Sequence, residues 1–389
     1  MSATIPRIPA SAYPKRWEAV KALMEREGLD LLLVYSDDRW TYGPAYARWL
    51  SGFIVHFEPV CILFPLKRDP IMLVGPESLG YAESNSHIKD IRVLEEFSHP
   101  DEDYPHIKLE PLIDIVSQFT DPSVCKKIGI AGRSMIPYDL LNSFMKILPG
   151  EWVTADEQMG QLRYIKTPEE LEVIKYAYKI AEVGIDAAVK AIEPGVSERY
   201  VAAEAEYVMR KMGAECYGID TMVACGERTI PIFARTTMNK IAKDDLVLLT
   251  FAPRYEGYHS ALGIPVIVGN PPDEAKRAVD AAVRAHKACA ALMRNGQTCA
   301  AESEARRIMQ EAGFGQNFMY SGIHSVGVIE FEAPIFGPSS KSVMKENMVL
   351  SIDIPVFEGK WGGLRVEDGY LIEKNGVNRL SGIEHFVQK

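Results

Sequence analysis

The side chains best suited to chemistry lie in the last third of the chain, in three short segments that each carry one such group. The segments are residues 321–334, 347–355 and 362–369. They contribute His324, Asp353 and Glu367, an imidazole and two carboxylates. In a water-poor pocket these groups can act as acid, base and cation anchor, because burial and neighbouring charges separate their pKa values. One histidine with two carboxylates is also a ligand set for a single metal ion.

A predicted pair of strands must form the floor beneath these groups. Apolar runs at 246–249 and 266–268 flank a turn signal at 253–257, which predicts two buried strands joined by a hairpin loop. In a two-metal hydrolase built on such a pair, the inward positions would carry aspartates, since two cations need bridging carboxylates. Those positions hold Thr250 and Ala261. The sequence therefore predicts that no dinuclear metal centre forms.

The length of 389 residues and a change of pattern near residue 160 predict two domains. Before this point short apolar strands alternate with helices, which is typical of an α/β domain with a mixed sheet. After it, pairs of long helices recur, each followed by strands, as a weak internal repeat. The helix pairs are predicted at 168–192 with 198–212 and at 273–294 with 301–312. We predict domains at 1–159 and 160–389, the latter with helices outside a curved antiparallel sheet and pseudo-two-fold symmetry.

Capping signals predict several helix boundaries. The first helix is predicted from Ala12 to Glu27, with Gly28 as its C-cap. The sequence Thr-Pro-Glu-Glu from residue 167 predicts a capping box at the start of the first long helix. Thr298 is predicted to cap the last long helix, and a further helix is predicted at 109–119 in the N-terminal domain.

The charge and composition exclude several classes of protein. A net charge of −10 and a pI near 5.4 argue against nucleic acid or an anionic membrane as a partner, since both bind basic surfaces. No apolar run reaches the length of a signal-peptide core or a membrane span, so we expect a soluble, cytoplasmic protein. The six cysteines lack the paired spacing of a zinc ribbon and are expected to be buried free thiols, with Cys225 as the one candidate for reactivity.

Residues 40–59 form a segment rich in aromatic side chains that also carries Arg48, His56 and Glu58. Two interpretations of this segment are open. The aromatic rings can simply pack the domain while the charged groups face water. Alternatively, the segment projects into a cleft, where aromatic walls and a few polar groups orient a small ligand.

The three site segments resemble the signatures of the pita-bread enzymes, the family of creatinase, aminopeptidase P, prolidase and methionine aminopeptidase. These signatures are a His-Gly turn followed by Glu-x-Pro, a buried strand with Glu-Pro, and the pattern Gly-x-Arg-x-Glu-Asp. The resemblance covers essentially the whole chain, and residues 46–53 are similar to a segment of the extra N-terminal domain of the creatinase, prolidase and aminopeptidase P branch. It implies an α/β N-terminal domain and an α+β pita-bread C-terminal domain. It also implies a homodimer in which the partner's residues 49–58 cover the site.

The resemblance also implies where the family's five metal ligands fall. The positions of its two aspartates, its histidine and its two glutamates are occupied here, in that order, by Thr250, Ala261, His324, Asp353 and Glu367. Two of the five ligands are therefore lost, and Asp353 is shorter than a glutamate by one methylene. Ser325 replaces the glycine of the His-Gly turn, and Phe233 stands where the family has a further histidine for substrate contact or proton transfer.

Creatinase is similar to this sequence in lacking both bridging aspartates, and it is a hydrolase that works without metal. This likeness implies a metal-independent hydrolase, with no cofactor, that cleaves a non-peptide C–N bond in a small cationic or zwitterionic metabolite. Ectoine hydrolase is the first specific candidate. Two alternatives stay open: a hydrolase or lyase similar to Xaa-Pro peptidases with a single metal ion, and an inactive homologue that binds a small molecule.

Specific roles are expected for ten residues. The residues expected to be catalytic are His324, Asp353 and Glu367. The residues expected to contact the substrate are Phe233, Thr250, Tyr258, His259, Glu332, His56 and Glu58. His259, on the predicted hairpin, could supply an imidazole or could be a hydrogen-bonded sheet histidine. Glu330 and Glu332 alternate on a predicted strand, and Glu330 is expected at the rim of the site.

Overall fold

The computed structural model describes residues 5–37 and 45–389, so residues 40–44 of the aromatic segment lie outside the described residues. The chain divides into two compact units, Ile8–Arg163 and Tyr164–Lys389, and the described residues before Ile8 belong to the second. Within these ranges, no helix combines the length and the apolar content that a membrane crossing requires.

The N-terminal unit contains a six-stranded mixed sheet. Its strands are β1 (Leu31–Ser36), β2 (Val60–Pro65), β3 (Ile71–Val74), β4 (Asp90–Val93), β5 (Lys127–Ala131) and β6 (Glu151–Thr154). The order across the sheet is β4-β3-β2-β1-β5-β6; β2 runs antiparallel to β1 and β3, and the other neighbours are parallel. The helices are α1 (Ala12–Glu27), α2 (Tyr46–Ser51), α3 (Leu79–Asn85), α4 (Leu112–Ser117), α5 (Tyr138–Ile147) and α6 (Asp156–Gln161). The predicted α/β domain with a mixed sheet is confirmed.

Local chemistry explains the boundaries in this unit. Helix α1 spans the predicted residues and ends at Gly28, whose φ of 65° is left-handed and therefore favours glycine. Helix α4 is shorter than the predicted 109–119, because Glu110 forms a β-bridge with Leu94 and Pro111 begins the helix from an extended conformation. Leu33 and Leu63 of the central strands pack in one core with Phe144 of α5.

The C-terminal unit contains two packed helix pairs. They are α7 (Pro168–Ala191) with α8 (Glu198–Lys211), and α9 (Asp273–Leu292) with α10 (Ala300–Glu311). The capping box at the start of α7 is confirmed: the Glu170 N–H donates to Thr167 Oγ1 at 3.3 Å, and the Thr167 N–H donates to Glu170 Oε2 at 2.8 Å. The predicted cap at Thr298 is wrong, because α10 begins after Cys299 and no side chain caps it.

The helix pairs pack against a sheet whose neighbouring strands are mainly antiparallel. The strands of this unit are β7 (Cys216–Tyr217), β8 (Met222–Cys225), β9 (Leu246–Phe251), β10 (Pro253–Tyr255), β11 (Tyr258–His259), β12 (Leu262–Ile267), β13 (Ile323–Ser325), β14 (Glu332–Ile335), β15 (Val349–Gly359), β16 (Gly362–Ile372), β17 (Val377–Arg379) and β18 (Val387–Gln388). The main sheet follows the order β14-β13-β15-β16-β12-β9-β8, with β17 beside β16 and β18 beside β12, while β11, β10 and β7 form a small second sheet. Apolar side chains such as Ala282 of α9 and Leu350 of β15 share one core. The predicted α+β C-terminal domain, with two helix pairs and an antiparallel sheet, is confirmed.

Candidate active site

Four strands of the main sheet align a row of residues across the sheet. Thr250 pairs with Gly263, Gly263 with Glu367, and Glu367 with Asp353. Directly paired residues in antiparallel strands point to the same face, so these four positions form one surface. The row therefore has two carboxylates at one end and a hydroxyl at the other. The position between them is a glycine, which has no side chain.

His324 joins the two carboxylates from the neighbouring strand β13. One ligand atom from each of His324, Asp353 and Glu367 lies within 4.8 Å of the other two, and all three side chains are buried. His324 Nε2 is 3.3 Å from Glu367 Oε1, which also accepts a hydrogen bond of 3.0 Å from the Ser351 hydroxyl. His324 Nδ1 is 3.1 Å from the carbonyl oxygen of Ser325. Both imidazole nitrogens thus face acceptors, which favours the protonated ring when no cation is bound.

Arg365 and Tyr320 hold Asp353 in place. The Tyr320 hydroxyl donates to Asp353 Oδ2 at 2.6 Å and accepts from an Arg365 NH2 group at 2.5 Å. Arg365 Nε lies 3.2 Å from Asp353 Oδ1, but without hydrogen-bond geometry, so this buried oxygen has no hydrogen-bond donor among the described residues. No role was predicted for Tyr320, because nothing in its local sequence signals a contact with a residue 33 positions away.

The side chain of Arg365 crosses the sheet directly above Gly263. A Cβ atom placed on Gly263 would come within 2.8 Å of Arg365 Cγ and Cδ, and within 3.2 Å of Glu367 Cβ. Real Cβ atoms essentially never approach other atoms below 3.0 Å. The glycine therefore provides the space through which the guanidinium reaches the carboxylates.

Burial and close charges set the protonation states. Burial raises the pKa of Asp353 to about 6, although the Arg365 charge opposes the shift. Burial also acts to raise the pKa of Glu367, but the hydrogen bond from His324 and the Arg365 charge outweigh it, so this pKa is lowered. Burial acts to lower the pKa of His324, yet the hydrogen bond to Glu367 and the surrounding carboxylates raise it. The metal-free site therefore favours an imidazolium paired with an ionised Glu367.

A third carboxylate, Glu330, belongs to this electrostatic cluster and was predicted at the rim. Glu330 is 5% exposed, and burial together with the charges of Glu367 and Asp353 raises its pKa to about 7 against the opposing charges of His324 and Arg365. The expectation that it alternates with Glu332 on one strand is wrong, because β14 begins only at Glu332. The signal for its burial in the sequence was its position directly after the apolar residues 326–329.

Glu332 forms a buried ion pair with a lysine from the segment before α7. Lys166 Nζ lies 3.0 Å from Glu332 Oε1 and 3.5 Å from the Ser325 hydroxyl, and both charged side chains are buried. Ser325, which replaces the expected glycine, thus accepts from the Lys166 ammonium group, a contact that the sequence did not predict. This pair connects the segment before α7 with β13 and β14.

Tyr258 and His259 are both buried on the hairpin. The Tyr258 hydroxyl donates to Glu170 Oε1 at 2.5 Å, so it holds the hairpin to the capping box of α7. His259 Nδ1 lies 3.3 Å from the Gly327 carbonyl oxygen, and burial followed by the Arg254 charge lowers its pKa to about 3. A neutral imidazole in the sheet matches the second of the two interpretations of His259.

Cys225 is the last residue of β8, and Phe233 lies between β8 and β9. Phe233 is 63% exposed, whereas His324, Asp353 and Glu367 are buried. The Cys225 thiol is buried, and burial followed by the charge of Glu198 raises its pKa to about 12. A thiol with this pKa is a poor nucleophile at neutral pH.

Within the N-terminal unit, His56 and Glu58 have different environments. Glu58 is buried, and its carboxylate accepts from the backbone N–H groups of Ser78 at 2.8 Å and Glu77 at 3.3 Å. His56 is exposed and lines a cavity of about 630 Å³ with Phe53 and other residues. A role of Glu58 in substrate contact would have to coexist with its role in capping residues 76–78.

The donor set fits one divalent ion and does not fit two. An imidazole and two carboxylates converge, and one carboxylate oxygen, Asp353 Oδ1, has no hydrogen-bond donor in the described portion of the chain. The far end of the row offers the hydroxyl of Thr250, and the position before β12 offers only the methyl group of Ala261. Neither can bridge two cations, so the prediction that no dinuclear centre forms stays a prediction with this support.

Comparison with known proteins connects this geometry to two family models. Residues 172–374 match the model of metallopeptidase family M24, and residues 16–165 match that of the creatinase/prolidase N-terminal domain. A relative from Pyrococcus furiosus, named Xaa-Pro dipeptidase, is 34% identical over 66% of this chain and 74% of its own length. Another Xaa-Pro dipeptidase, from Lactobacillus delbrueckii subsp. lactis, is 27% identical over 91% of this chain and 93% of its own.

Solved structures of prolidases are similar in fold to this chain. The prolidase from Pyrococcus horikoshii superposes with a TM-score of 0.81 and 26% identity, covering 95% of this chain and 99% of that one. The prolidase from Pyrococcus furiosus superposes with a TM-score of 0.78 and 26% identity, covering 94% and 99%. The resemblance to the creatinase, aminopeptidase P and prolidase family is confirmed.

The same comparisons contradict the function expected from the sequence. A metal-independent hydrolase of a non-peptide C–N bond, with ectoine hydrolase as its model, conflicts with relatives named Xaa-Pro dipeptidase and prolidase and with a family of metallopeptidases. The error came from giving the two lost aspartates more weight than the similarity of the remaining chain. The remaining donor set, which fits a metal ion, agrees with the correction.

Proposed function

Because this chain belongs to metallopeptidase family M24 and carries a creatinase/prolidase N-terminal domain, we propose that it hydrolyses Xaa-Pro dipeptides with a single divalent metal ion. The relatives named Xaa-Pro dipeptidase support the substrate class. The observation that carries the proposal is the convergence of His324, Asp353 and Glu367 within 4.8 Å in a buried position.

The three residues would hold the ion through one nitrogen and two carboxylate groups. His324 Nδ1 lies 3.1 Å from the Ser325 carbonyl oxygen, and an Nδ1–H donated there leaves Nε2 free as the ligand atom. The Tyr320 hydroxyl, which accepts from Arg365, donates to Asp353 Oδ2, and Asp353 Oδ1, 3.2 Å from Arg365 Nε without hydrogen-bond geometry, would be the ligand atom. A bound divalent ion supplies Lewis acidity toward a carbonyl oxygen and lowers the pKa of water. In the overall reaction one water molecule is consumed and the bond between the acyl carbon and the proline nitrogen breaks, so that the carbon gains the hydroxyl group and the nitrogen gains the proton.

The proposal includes a homodimer, as implied by the family resemblance. In the N-terminal unit, Phe57 and Tyr81 are 59% and 43% exposed and line the same cavity as His56. Exposed aromatic side chains that cluster in this way are typical of a surface covered by a partner. The acidic net charge of −10 argues against nucleic acid as a partner, and a cytoplasmic location stays a prediction.

One experiment tests the metal and the reaction together. Protein purified without added metal is titrated with Mn²⁺, Co²⁺ or Zn²⁺, and ion binding and cleavage of alanyl-proline are measured at each step. We expect one equivalent of ion per chain and cleavage that rises with occupancy and disappears on chelation. Two equivalents per chain, or cleavage that survives complete chelation, would contradict the proposal.

A second candidate function is binding of the dipeptide without turnover. The observation that favours it is the loss of two carboxylates at Thr250 and Ala261, which removes negative charge from the site. The same experiment separates the candidates: dipeptide binding by the metal-loaded protein without cleavage would favour the binding protein.

A further inference from the structure

Four carboxylates surround the candidate site, and three of them already have partners within the chain. Asp353 accepts from Tyr320 at 2.6 Å and pairs with Arg365. Glu367 contacts His324 and accepts from Ser351. The third acid with a partner is Glu332, which pairs with Lys166 at 3.0 Å. Glu330 is the fourth carboxylate.

Glu330 differs from the others because no hydrogen bond to its carboxylate is made by residues 5–37 or 45–389. Its side chain is 5% exposed, so the backbone fold holds it inside the molecule rather than in bulk water. An ionised carboxylate in such a position is unfavourable unless a cation or a hydrogen-bond donor pairs with it. The site therefore contains a buried acid with unused acceptor capacity.

Glu330 lies beside the hairpin that precedes Ala261, one of the two positions at which the family has an aspartate. A Cβ atom added to Gly218 would come within 2.8 Å of Glu330 Cβ and 2.7 Å of His259 Cδ2, so Glu330 lies beside the hairpin. The buried phenol of Tyr178 lies within reach of the charges of both Glu367 and Glu330 and against the backbone of Ala261. Glu330 therefore lies near the metal-ligand candidates and beside the hairpin that precedes Ala261.

The charges around Glu330 indicate what it can recognise. Arg365 Nε lies 3.2 Å from Asp353 and 4.0 Å from Glu367, so this cation pairs with the two carboxylates of the metal-ligand set and not with Glu330. Glu330 is also too far from the other ligand atoms to belong to the converging set, which contains only His324, Asp353 and Glu367 among the described residues. It is therefore suited to pairing with a cationic group of the ligand rather than with the metal. A free dipeptide has one such group, its α-ammonium.

We propose that Glu330 binds the α-ammonium group of the dipeptide and so makes the site specific for substrates with a free amino terminus. This inference rests on the proposed dipeptide substrate. The carboxylate would accept hydrogen bonds from the ammonium group. Glu330 is a specificity-determining residue in this account and takes no part in the covalent chemistry.

The test compares two ligands that differ only in the amino group. Alanyl-proline and propionyl-proline have the same shape apart from the ammonium, and their binding to the Zn²⁺-loaded protein is measured by calorimetry for the wild type and for Glu330→Gln. Hydrogen bonds to charged groups predict that Glu330→Gln weakens alanyl-proline binding about 10- to 100-fold. Propionyl-proline binding should change less than about threefold. Melting curves check that Glu330→Gln is folded, and Glu330→Asp, which keeps the charge, should retain some of the preference.

Glu311→Gln is the matched control, because it removes one carboxylate charge from an exposed side chain of α10 that pairs with Arg307 and lies outside the candidate site. It should leave the ratio of the two ligand affinities unchanged. Equal losses for both ligands in Glu330→Gln, no loss for either, or a wild type that binds neither would overturn the inference. Glu330-dependent binding without cleavage would refute the proposed peptidase function alone, whereas cleavage without Glu330 dependence would refute the inference alone.

Discussion

Neutralising Glu330 should stabilise the metal-free protein, because its buried charge opposes folding. Burial is the largest cause of the rise of the Glu330 pKa from 4.5 to about 7, and the charges of Glu367 and Asp353 add to it. An acid with a raised folded-state pKa binds its proton more tightly in the folded state than in the unfolded state. Its contribution to stability is therefore neutral below pH 4.5, becomes unfavourable as the pH rises through about 7, and then stays constant.

The size of this penalty follows from the pKa difference. A shift from 4.5 to about 7 corresponds to about 3 kcal/mol above pH 7, at about 1.4 kcal/mol for each pKa unit. Glu330→Gln keeps the shape of the protonated side chain and never acquires the charge. We expect the variant to gain about 1–3 kcal/mol of unfolding free energy at pH 8 and close to none at pH 4.5.

Urea unfolding of chelator-treated protein at both pH values measures the effect. The matched control is Glu311→Gln on α10, where an exposed carboxylate pairs with Arg307 and a change within about 0.5 kcal/mol is expected at either pH. A Glu330→Gln variant that is less stable than the wild type at pH 8 would refute the reasoning. A gain of equal size at pH 4.5 and 8 would refute it too, since packing and not charge would then be the cause.

Three further predictions concern the ion, the reaction and the N-terminal unit. Glu367→Gln should lower both metal affinity and alanyl-proline cleavage more than tenfold, measured by ion titration and product release, and full activity in this variant would contradict its role as a ligand. Metal affinity should fall about tenfold for each pH unit lost below the raised pKa of His324, because the imidazolium must lose its proton to bind an ion; a flat affinity between pH 5 and 7 would count against His324. Glu58→Gln should lower the melting temperature through about 1 kcal/mol of lost capping, whereas exposed His56→Ala should not, and equal effects would show that the carboxylate does not cap Ser78.

Much of the fold could be predicted because local chemistry sets many boundaries. The capping box at Thr167 and the C-cap at Gly28 act within a few residues of the chain, and both lie where the sequence placed them. The cap at Thr298 was mispredicted because Cys299, without a side-chain hydrogen bond, precedes the first turn of α10. Capping propensity is a preference and not a requirement.

The site was harder to predict because its contacts join distant segments of the chain. His324, Asp353 and Glu367 were selected by residue type and by family resemblance, and the sheet brings them together. The roles of Tyr320 and Lys166 depend on partners more than 30 and 150 residues away, which no local pattern encodes. The substrate class was mispredicted for a different reason: the absence of two ligands shows what the site cannot hold, but not what it binds.

Gly263 has a consequence for how this sequence can change over evolution. A strand interior normally favours β-branched side chains, yet at this position even an alanine methyl would collide with the stem of Arg365. The two positions are therefore coupled: a larger residue at 263 is tolerated only if residue 365 becomes shorter, and a shorter residue 365 removes the cation beside Asp353. We expect the glycine and the arginine to covary as a pair among sequences that keep this site. Where the arginine is lost, substitution of the glycine should follow without loss of the fold.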